Sequence, residues 1–535
     1  MIKIENLSVA FDGTEVVKNV NLEIADGEIL GVVGESGSGK SVTALTLMGL
    51  VSQEAVLTSG RVLYDDVVLA QAGIPRDKAL YRTYQGSRMS MVFQEPMTSL
   101  NPTGRVGRQV EEMLRLHTTA LTPEQRKARV LETFLSVGLK DAERVYDSYP
   151  HQLSGGMRQR VMIAMAIILH PGLVVADEPT TALDVSVQNQ IIELLRQINK
   201  EQRNAMLFIT HDLNLARRLC HRVAVMKDGR VVESGTVEEI FESPKEAYTK
   251  RLIEAVPSRA GKATKVRQEN ISIQGGKAEA LGEQAVSENI LEVKDLNVFY
   301  REGGNSLFSG KKKKLVVSEA SFTMKRGETL GLVGESGCGK TSLSKAILGI
   351  NRDIEGSVTH YSSYPQMIFQ DPYSSLNPSK TIGWLLQEPL RALEHLDKSR
   401  KMTDKDREAA AFDMLHRVGL EDKYFDRRPS QLSGGQRQRI SIGQALITRP
   451  GFVIADEPVS ALDVTIQAQI MELMRSLQEE MKLSFLFISH DINVVYQMSD
   501  RIMVMREGRI VELGDTEEIF TNPKEAYTRQ LLQES

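Results

Sequence analysis

The stretch GESGSGKS (34–41) and its near copy GESGCGKT (334–341) decide the fold class of this chain. Each fits G-x-x-x-x-G-K-[ST], follows an apolar strand-like run and precedes an apolar helix-like run, which is the context of a phosphate-binding loop. Glycines let backbone amides curl around phosphate oxygens, and the following helix points its positive end at the anion. The predicted contacts are Gly34, Glu35, Ser36, Gly37, Ser38, Gly39, Lys40, Ser41, Gly334, Glu335, Ser336, Gly337, Cys338, Gly339, Lys340 and Thr341.

Two side chains of each loop have separate tasks. Lys40 and Lys340 are placed to neutralise β- and γ-phosphates, while Ser41 and Thr341 offer a hydroxyl to Mg²⁺. An acidic pair ends a buried apolar run in each half, in GLVVADEP (172–179) and GFVIADEP (451–458). Asp177 and Asp456 are predicted to hold the Mg²⁺ shell, and Glu178 and Glu457 to orient and activate the attacking water.

The second feature is a long internal repeat. After the P-loops, FQEPMTSLNP (93–102) returns as FQDPYSSLNP (369–378), and from QLSGG (152–156 and 431–435) onward the spacing stays at 279 residues. That period is too long for a solenoid and indicates two fused domains. We expect domains at 1–255 and 290–535, joined by a flexible linker at 256–289 that is poor in bulky residues. The second copy has 24 fewer residues between its first two motifs, which predicts a smaller strand-rich subdomain.

Composition narrows the class of protein. A net charge of −4 and pI near 6.2 argue against a general nucleic-acid binder. Two cysteines, Cys220 and Cys338, cannot form a disulfide framework, which favours a reducing compartment. The N-terminus alternates like a strand, and the most apolar run, 161–176, is too short to span a bilayer. We therefore expect a soluble chain that meets a membrane through a partner.

LSGGMRQR (153–160) and LSGGQRQR (432–439) resemble the signature motif of ABC-type ATPases, and the other family motifs lie in family order in both halves. The resemblance implies an α/β fold of two tandem P-loop NTPase (ABC ATPase) domains, each with a mixed sheet core, an antiparallel β-subdomain and a helical subdomain. It implies ATP and Mg²⁺ as ligands. It also implies a head-to-tail sandwich in which Ser433 closes the Lys40 site and Ser154 closes the Lys340 site.

The resemblance assigns further residues to both sites. Phe11 and Tyr300 stand where the family has an aromatic residue that stacks on adenine. The implied catalytic residues are Gln94, Glu178, His211, Gln370, Glu457 and His490, of which Gln94 and Gln370 also touch Mg²⁺. The implied signature and D-loop contacts to ATP are Ser154, Gly155, Gly156, Asp184, Ser433, Gly434, Gly435 and Asp463.

Within that family, SPKEAYTKRL (243–252), its repeat NPKEAYTRQL (522–531) and SLNP after each glutamine resemble the oligopeptide/dipeptide/nickel import subfamily, including fused peptide, glutathione and peptide-antibiotic importers. This implies two transmembrane permease subunits, indirectly an extracytoplasmic solute-binding protein, and a peripheral place on the cytoplasmic face of the inner membrane. The solute stays open among peptides, glutathione, metal chelates and opines. The alternative is a soluble tandem ATPase acting on the ribosome, but the linker is short and lacks a charged helical pattern. Since 253–268 has no cysteine, we predict no iron–sulfur cluster.

Three local features complete the predictions. Ser243 and Asn522 are expected to N-cap a terminal helix as a capping box, with proline following at N1. KKKK (311–314) is expected to be a solvated hairpin tip. Cys338 is expected to fill space in the second P-loop, while leaving that site sensitive to thiol reagents in the absence of nucleotide.

Overall fold

The computed structural model describes residues 1–94, 99–118, 120–181, 183, 185–256, 288–301, 313–335, 337–460 and 462–533. The chain divides into two compact units, which part between Val256 and Pro257. Most of the predicted linker, half of KKKK and two predicted site residues, Asp184 and Ser336, lie outside the described residues. The predicted domain limits stay predictions.

The first unit is built on a six-stranded mixed sheet of order β10-β9-β3-β8-β7-β6, where only β9 and β10 pair antiparallel. Its strands are β3 (Ile29–Val33), β6 (Met89–Val92), β7 (Leu173–Asp177), β8 (Ala205–Thr210), β9 (Arg222–Lys227) and β10 (Arg230–Thr236). Every residue of β3, β7 and β8 is buried, as expected for parallel strands covered on both faces. The β9–β10 turn is Asp228-Gly229, both at positive φ, as a two-residue hairpin turn requires.

A four-stranded antiparallel sheet of order β2-β1-β4-β5 packs against this core. Its strands are β1 (Ile2–Phe11), β2 (Thr14–Ile24), β4 (Ala55–Tyr64) and β5 (Val67–Gln71). Ile2 pairs with Ile24 on one side and Tyr64 on the other, and all three side chains are buried. This sheet is the predicted antiparallel β-subdomain.

Helices of the first unit cover the other faces. They are α1 (Lys40–Leu47), α2 (Lys78–Tyr84), α3 (Val106–His117), α4 (Pro123–Ser136), α5 (Ala142–Asp147), α6 (Gly155–Ile167), α7 (Val185–Gln202), α8 (Leu213–Leu219), α9 (Val237–Glu242) and α10 (Ala247–Glu254). Helices α3 to α6 share a core around Val110, Phe134 and Val161, each fully buried, and form the predicted helical subdomain. A capping box of Thr122 and Gln125 begins α4.

The second unit repeats this plan. Its strands are β11 (Asn289–Arg301), β12 (Lys313–Lys325), β13 (Thr329–Val333), β14 (Ile354–His360), β15 (Gln366–Ile368), β16 (Phe452–Asp456), β17 (Ser484–Ile488), β18 (Arg501–Arg506) and β19 (Arg509–Asp515). The mixed sheet has the order β15-β16-β17-β13-β18-β19. The antiparallel sheet, β12-β11-β14, has three strands in the described part of the chain, which confirms the smaller β-subdomain.

Helices of the second unit follow the same order. They are α11 (Lys340–Ile347), α12 (Pro372–Ser375), α13 (Ile382–Leu396), α14 (Asp404–Arg417), α15 (Gly434–Leu446), α16 (Val464–Met481), α17 (Ile492–Met498), α18 (Thr516–Thr521) and α19 (Ala526–Gln533). Short 3₁₀ turns precede the signature helices, at Pro150–Gln152 and Pro429–Gln431. Among the described residues of both units, no helix is long and apolar enough to cross a membrane.

The predicted start of the terminal helices is wrong. Ser243 and Asn522 are the C-caps of α9 and α18, and the terminal helices α10 and α19 begin at Ala247 and Ala526. The physical reason is a tertiary contact: Glu233 on β10 accepts hydrogen bonds from the backbone N–H groups of residues 245 and 246, at 2.8 and 3.2 Å. Because a carboxylate from the sheet satisfies these amides, the local capping box does not form.

Candidate nucleotide-binding sites

The first P-loop joins β3 to α1 and needs glycine at defined positions. Gly37 and Gly39 have φ of 81° and 97°, in the left-handed region that favours glycine. A Cβ on Gly34 would lie 2.2 Å from the backbone oxygen of Met226 on β9, so no side chain fits there. The loop is therefore held close against the sheet, with the N-terminus of α1 behind it.

Lys40 is the buried cation of this loop, with 5% of its surface exposed. Its Nζ donates to the carbonyl oxygens of Gly34 at 2.7 Å and Glu35 at 2.8 Å. Burial lowers the pKa of Lys40, and the negative charge of Glu178 partly offsets this. An ammonium whose acceptors are neutral carbonyls can bind a charged acceptor, such as a phosphate, more strongly.

Ser41 and Asp177 meet beside the P-loop, as predicted. Ser41 Oγ donates to Asp177 Oδ1 at 3.1 Å. Burial, together with the nearby charge of Glu178, raises the pKa of Asp177 to about 6, although the hydrogen bond from Ser41 acts to lower it. Mg²⁺ is bound in proteins by one or two carboxylates together with waters and substrate phosphates. A hydroxyl and a buried carboxylate at this distance fit such a cation, whose charge would lower the raised pKa.

Glu178 follows Asp177 with a φ of 46°, a left-handed conformation that is uncommon for glutamate. Its carboxylate accepts from Gln94 Nε2 at 3.0 Å and Thr181 Oγ1 at 3.0 Å, and His211 Nδ1 lies 3.1 Å away. Burial would raise the pKa of Glu178, but the hydrogen bond and charge of His211 outweigh it and leave the pKa lowered. Burial would likewise lower the pKa of His211, and the contact with Glu178 raises it instead. The carboxylate is thus held ionised, as a general base requires.

The second P-loop has the same lysine and hydroxyl geometry. Lys340 Nζ donates to the carbonyl oxygens of Gly334 and Glu335 at 2.7 and 3.0 Å. Thr341 Oγ1 donates to Asp456 Oδ2 at 3.1 Å, and burial raises the pKa of Asp456. The second site therefore places its lysine, hydroxyl and buried carboxylate as the first site does.

The second catalytic carboxylate differs in one partner. Glu457 has a φ of 49°, accepts from Gln370 Nε2 at 2.8 Å and lies 3.2 Å from His490 Nδ1. Burial opposes ionisation, but the contact with His490 leaves the pKa of Glu457 lowered and that of His490 raised. Ser460, at the position of Thr181, donates to the backbone oxygen of Glu457 at 2.9 Å rather than to its carboxylate.

The signature serines lie at helix N-termini. Ser154 N-caps α6 by accepting from the Met157 N–H at 3.3 Å, and Ser433 N-caps α15 by accepting from the Gln436 N–H at 3.3 Å. Each helix is 13 residues long, so its first turn offers amides and a positive dipole end to an anion. The contact of these serines and their following glycines with γ-phosphate stays a prediction.

Other predicted residues lie at the edges of the sites. Phe11 ends β1 half-buried, and Tyr300 lies near the end of β11 with 40% of its surface exposed. Asp463 is half-buried just before α16. Cys338 is buried, with its Sγ 4.0 Å from Lys340 Nζ, and burial raises the pKa of the thiol, which fits the predicted space-filling role.

Sequence reasoning missed two kinds of contact. Thr181 reaches the carboxylate of Glu178, although the motif alone does not distinguish it from Ser460. Tyr248 and Tyr527 reach the P-loops through their hydroxyl groups. The only signal for the tyrosines was their repetition at the same spacing as the catalytic motifs.

Comparison with known families bears on this geometry directly. The family model described as "ABC transporter" matches residues 17–181 and 317–460, which together contain both P-loops and both acidic pairs. The chain belongs to the ABC transporter family. A second model, "Oligopeptide/dipeptide transporter, C-terminal region", matches 232–281 and 511–534. The predicted tandem ATP-binding protein of this import subfamily, with its α/β fold and ATPase activity, is confirmed.

Full-length relatives support the same assignment. The chain is 42% identical to the glutathione import ATP-binding protein GsiA of Pectobacterium atrosepticum, covering 99% of this chain and 89% of that protein. It is 41% identical to the uncharacterized ABC transporter ATP-binding protein YejF of Escherichia coli, covering 99% of both. It is 40% identical to the peptidoglycan transport ATP-binding protein YejF of Agrobacterium fabrum, covering 99% of this chain and 96% of that one.

Among solved structures, the archaeal ribosome recycling factor aABCE1, in complex with the ribosomal stalk protein aP1, matches 94% of this chain and 88% of its own, with a TM-score of 0.60. At 21% identity, this likeness shows the tandem fold alone.

Proposed function

We propose that this ABC ATPase drives the import of peptides or a related small solute, peripherally bound at the cytoplasmic face of the inner membrane. The observation that supports the proposal is the combination of two ABC transporter domains with two copies of the oligopeptide/dipeptide C-terminal region. Its partners are proposed to be two transmembrane permease subunits and, through them, an extracytoplasmic solute-binding protein. Relatives named for glutathione import and peptidoglycan transport set the range of solutes to test.

The ribosome-associated alternative has less support. The aABCE1 likeness is one of fold, whereas the full-length relatives are named as transporter ATP-binding proteins. The C-terminal region that both units share belongs to oligopeptide and dipeptide transporters by its family description. We therefore place the chain with importers.

The residues of the first site suggest how hydrolysis proceeds. Lys40 would exchange the carbonyl oxygens of Gly34 and Glu35 for β- and γ-phosphate oxygens. Ser41 and Asp177 would hold Mg²⁺, which supplies charge neutralisation on the phosphates when bound. Glu178, kept ionised by His211, would orient the attacking water and accept its proton. The predicted completion of the Lys40 site by Ser433, and of the Lys340 site by Ser154, stays a prediction.

The test uses Glu178→Gln and Glu457→Gln, singly and together, with Glu193→Gln on the exposed face of α7 as a matched control. The double variant should bind Mg-ATP but lose at least about 100-fold in turnover, because a general base contributes about 10²–10⁴-fold. The double variant should also abolish uptake of a labelled di- or tripeptide or glutathione, measured in proteoliposomes with the cognate permeases and binding protein. Unchanged turnover in the double variant would refute the catalytic assignment. Stimulation of hydrolysis by ribosomes but not by permeases would instead favour the alternative.

A further inference from the structure

The terminal helix of each unit touches the P-loop of the same unit. Tyr248 lies on α10, and its Oη accepts a hydrogen bond from the backbone N–H of Glu35 at 3.4 Å. Tyr527 lies on α19, and its Oη accepts from the N–H of Glu335 at 3.2 Å. The two contacts join residues about 200 positions apart in the chain, and both units form the same one. Its recurrence ties the contact to the segment PKEAYT that both repeats share, rather than to a peculiarity of one unit.

The tyrosine and the P-loop lysine hold opposite ends of one peptide group. The peptide between Gly34 and Glu35 has its carbonyl oxygen on Lys40 Nζ at 2.7 Å and its N–H on Tyr248 Oη. The peptide between Gly334 and Glu335 is held in the same way. Gly34 has a φ of 151°, so its conformation is open to few residues and depends on such support.

The position of each hydroxyl is fixed from the sheet. Glu233 on β10 accepts the N–H groups of Lys245 and Glu246 at 2.8 and 3.2 Å, which holds the start of α10. Lys227 Nζ lies 4.9 Å from the centre of the Tyr248 ring. A cation over an aromatic ring at this distance is attracted by it and orients the ring.

The second unit repeats each of these supports. Glu512 accepts the N–H groups of Lys524 and Glu525 at 2.8 and 3.2 Å, and the Arg506 guanidinium lies 4.8 Å from the Tyr527 ring centre. Tyr527 is 5% exposed. Burial raises the pKa of both tyrosines to about 12, so each hydroxyl keeps its proton at neutral pH.

We propose that Tyr248 and Tyr527 are positioning residues for nucleotide binding, which hold the first peptide of each P-loop in place when the lysine turns to the phosphates. An ammonium that turns toward phosphate holds the Gly34 or Gly334 carbonyl less tightly, and the tyrosine then keeps the other end of that peptide in place. The C-terminal region that marks the subfamily would thus form part of the nucleotide site's support. The inference rests on ATP binding at the P-loops and on no particular solute.

The experiment uses the purified full chain with Tyr248→Phe, Tyr527→Phe and the double variant. Each change removes one hydroxyl and keeps the ring. We expect the dissociation constant for Mg-ATP and the KM to rise about 3- to 10-fold in the double variant, since a neutral hydrogen bond contributes about 0.5–1.5 kcal/mol and 1.4 kcal/mol is tenfold. The kcat at saturating ATP should stay within about twofold, because the tyrosines touch none of the reacting groups.

The matched control is Tyr146→Phe, which also removes a hydroxyl hydrogen bond, the 2.6 Å contact to Glu111 inside the helical subdomain. It should lower the thermal midpoint and leave the dissociation constant for Mg-ATP unchanged. Native affinity in the tyrosine double variant, or a loss of kcat without a change in KM, would overturn the inference while leaving the ATPase assignment intact. Failure of the wild-type chain to bind Mg-ATP would overturn both.

Discussion

Thr181→Val is expected to shift the acidic limb of ATP hydrolysis upward. Thr181 Oγ1 donates to the Glu178 carboxylate at 3.0 Å, and the Glu178 side chain is 14% exposed. Hydrogen bonds to charged groups contribute about 1.5–3 kcal/mol, and partial solvation favours the lower end. Valine keeps the shape of threonine and removes this donor. A loss of about 1.4 kcal/mol corresponds to a rise of about one unit in the pKa of Glu178. Because catalysis needs the ionised carboxylate, half-maximal activity at the first site should move about one pH unit higher.

The assay is steady-state turnover of the full chain at saturating Mg-ATP from about pH 3.5 to 8, a range that reaches the lowered pKa of Glu178, and the second unit supplies the control. Ser460 donates to the backbone oxygen of Glu457 and not to its carboxylate, so Ser460→Ala should leave the acidic limb in place. Effects of phosphate protonation are common to all variants and cancel in the comparison. Equal shifts in the two variants, or none in Thr181→Val, would show that the hydroxyl does not tune the base.

Three further predictions follow from single contacts. Gly34→Ala should abolish ATP binding at the first site, since the new Cβ would lie 2.2 Å from the backbone oxygen of Met226. Gly37→Ala places its Cβ with no other atom within 4 Å, so it should weaken ATP binding only by the backbone strain, about 1 kcal/mol. Equilibrium titration with Mg-ATP measures both effects. Ser41→Ala should raise the Mg²⁺ concentration needed for half-maximal turnover about tenfold, and an unchanged Mg²⁺ titration would exclude the hydroxyl as a ligand. Glu512→Gln should lower the thermal midpoint at pH 7 and have little effect near pH 3. Burial opposes the shift, but hydrogen bonds from the N–H groups of Lys524 and Glu525 help to leave the folded pKa of Glu512 lowered, so its contribution is present above the unfolded pKa and is lost as pH falls through the folded one.

The residues proposed for catalysis could be predicted from sequence because they lie in short local motifs. Lys40 and Ser41 are adjacent, Asp177 and Glu178 end one buried strand, and strand order in a parallel sheet brings these ends together. The start of α10 was not accessible, since Glu233 overrides a favourable local capping pattern through a contact between separate elements.

Two other features depended on tertiary geometry. The different acceptors of Thr181 and Ser460 are a matter of side-chain rotation at equivalent positions, which no motif encodes. The tyrosine contacts depend on where the terminal helix packs, which the sequence of that helix does not specify. Sequence thus predicted groups that lie in recognisable motifs, such as Gln94 and His211, and missed contacts from residues outside those motifs.

The two units share the P-loop lysine, the hydroxyl that follows it and the acidic pair, and they differ in the groups that support the second carboxylate of that pair. Glu178 has three side-chain partners, Gln94, Thr181 and His211, whereas Glu457 has Gln370 and His490 in the described part of the chain. Fewer donors stabilise the ionised form less, so Glu457 should take up a proton before Glu178 as pH falls. Hydrolysis at acidic pH should therefore depend more on the first unit. A larger loss from Glu178→Gln than from Glu457→Gln at about pH 4, with similar losses at about pH 8, is the result this asymmetry requires, because both carboxylates have pKa values below the ordinary one.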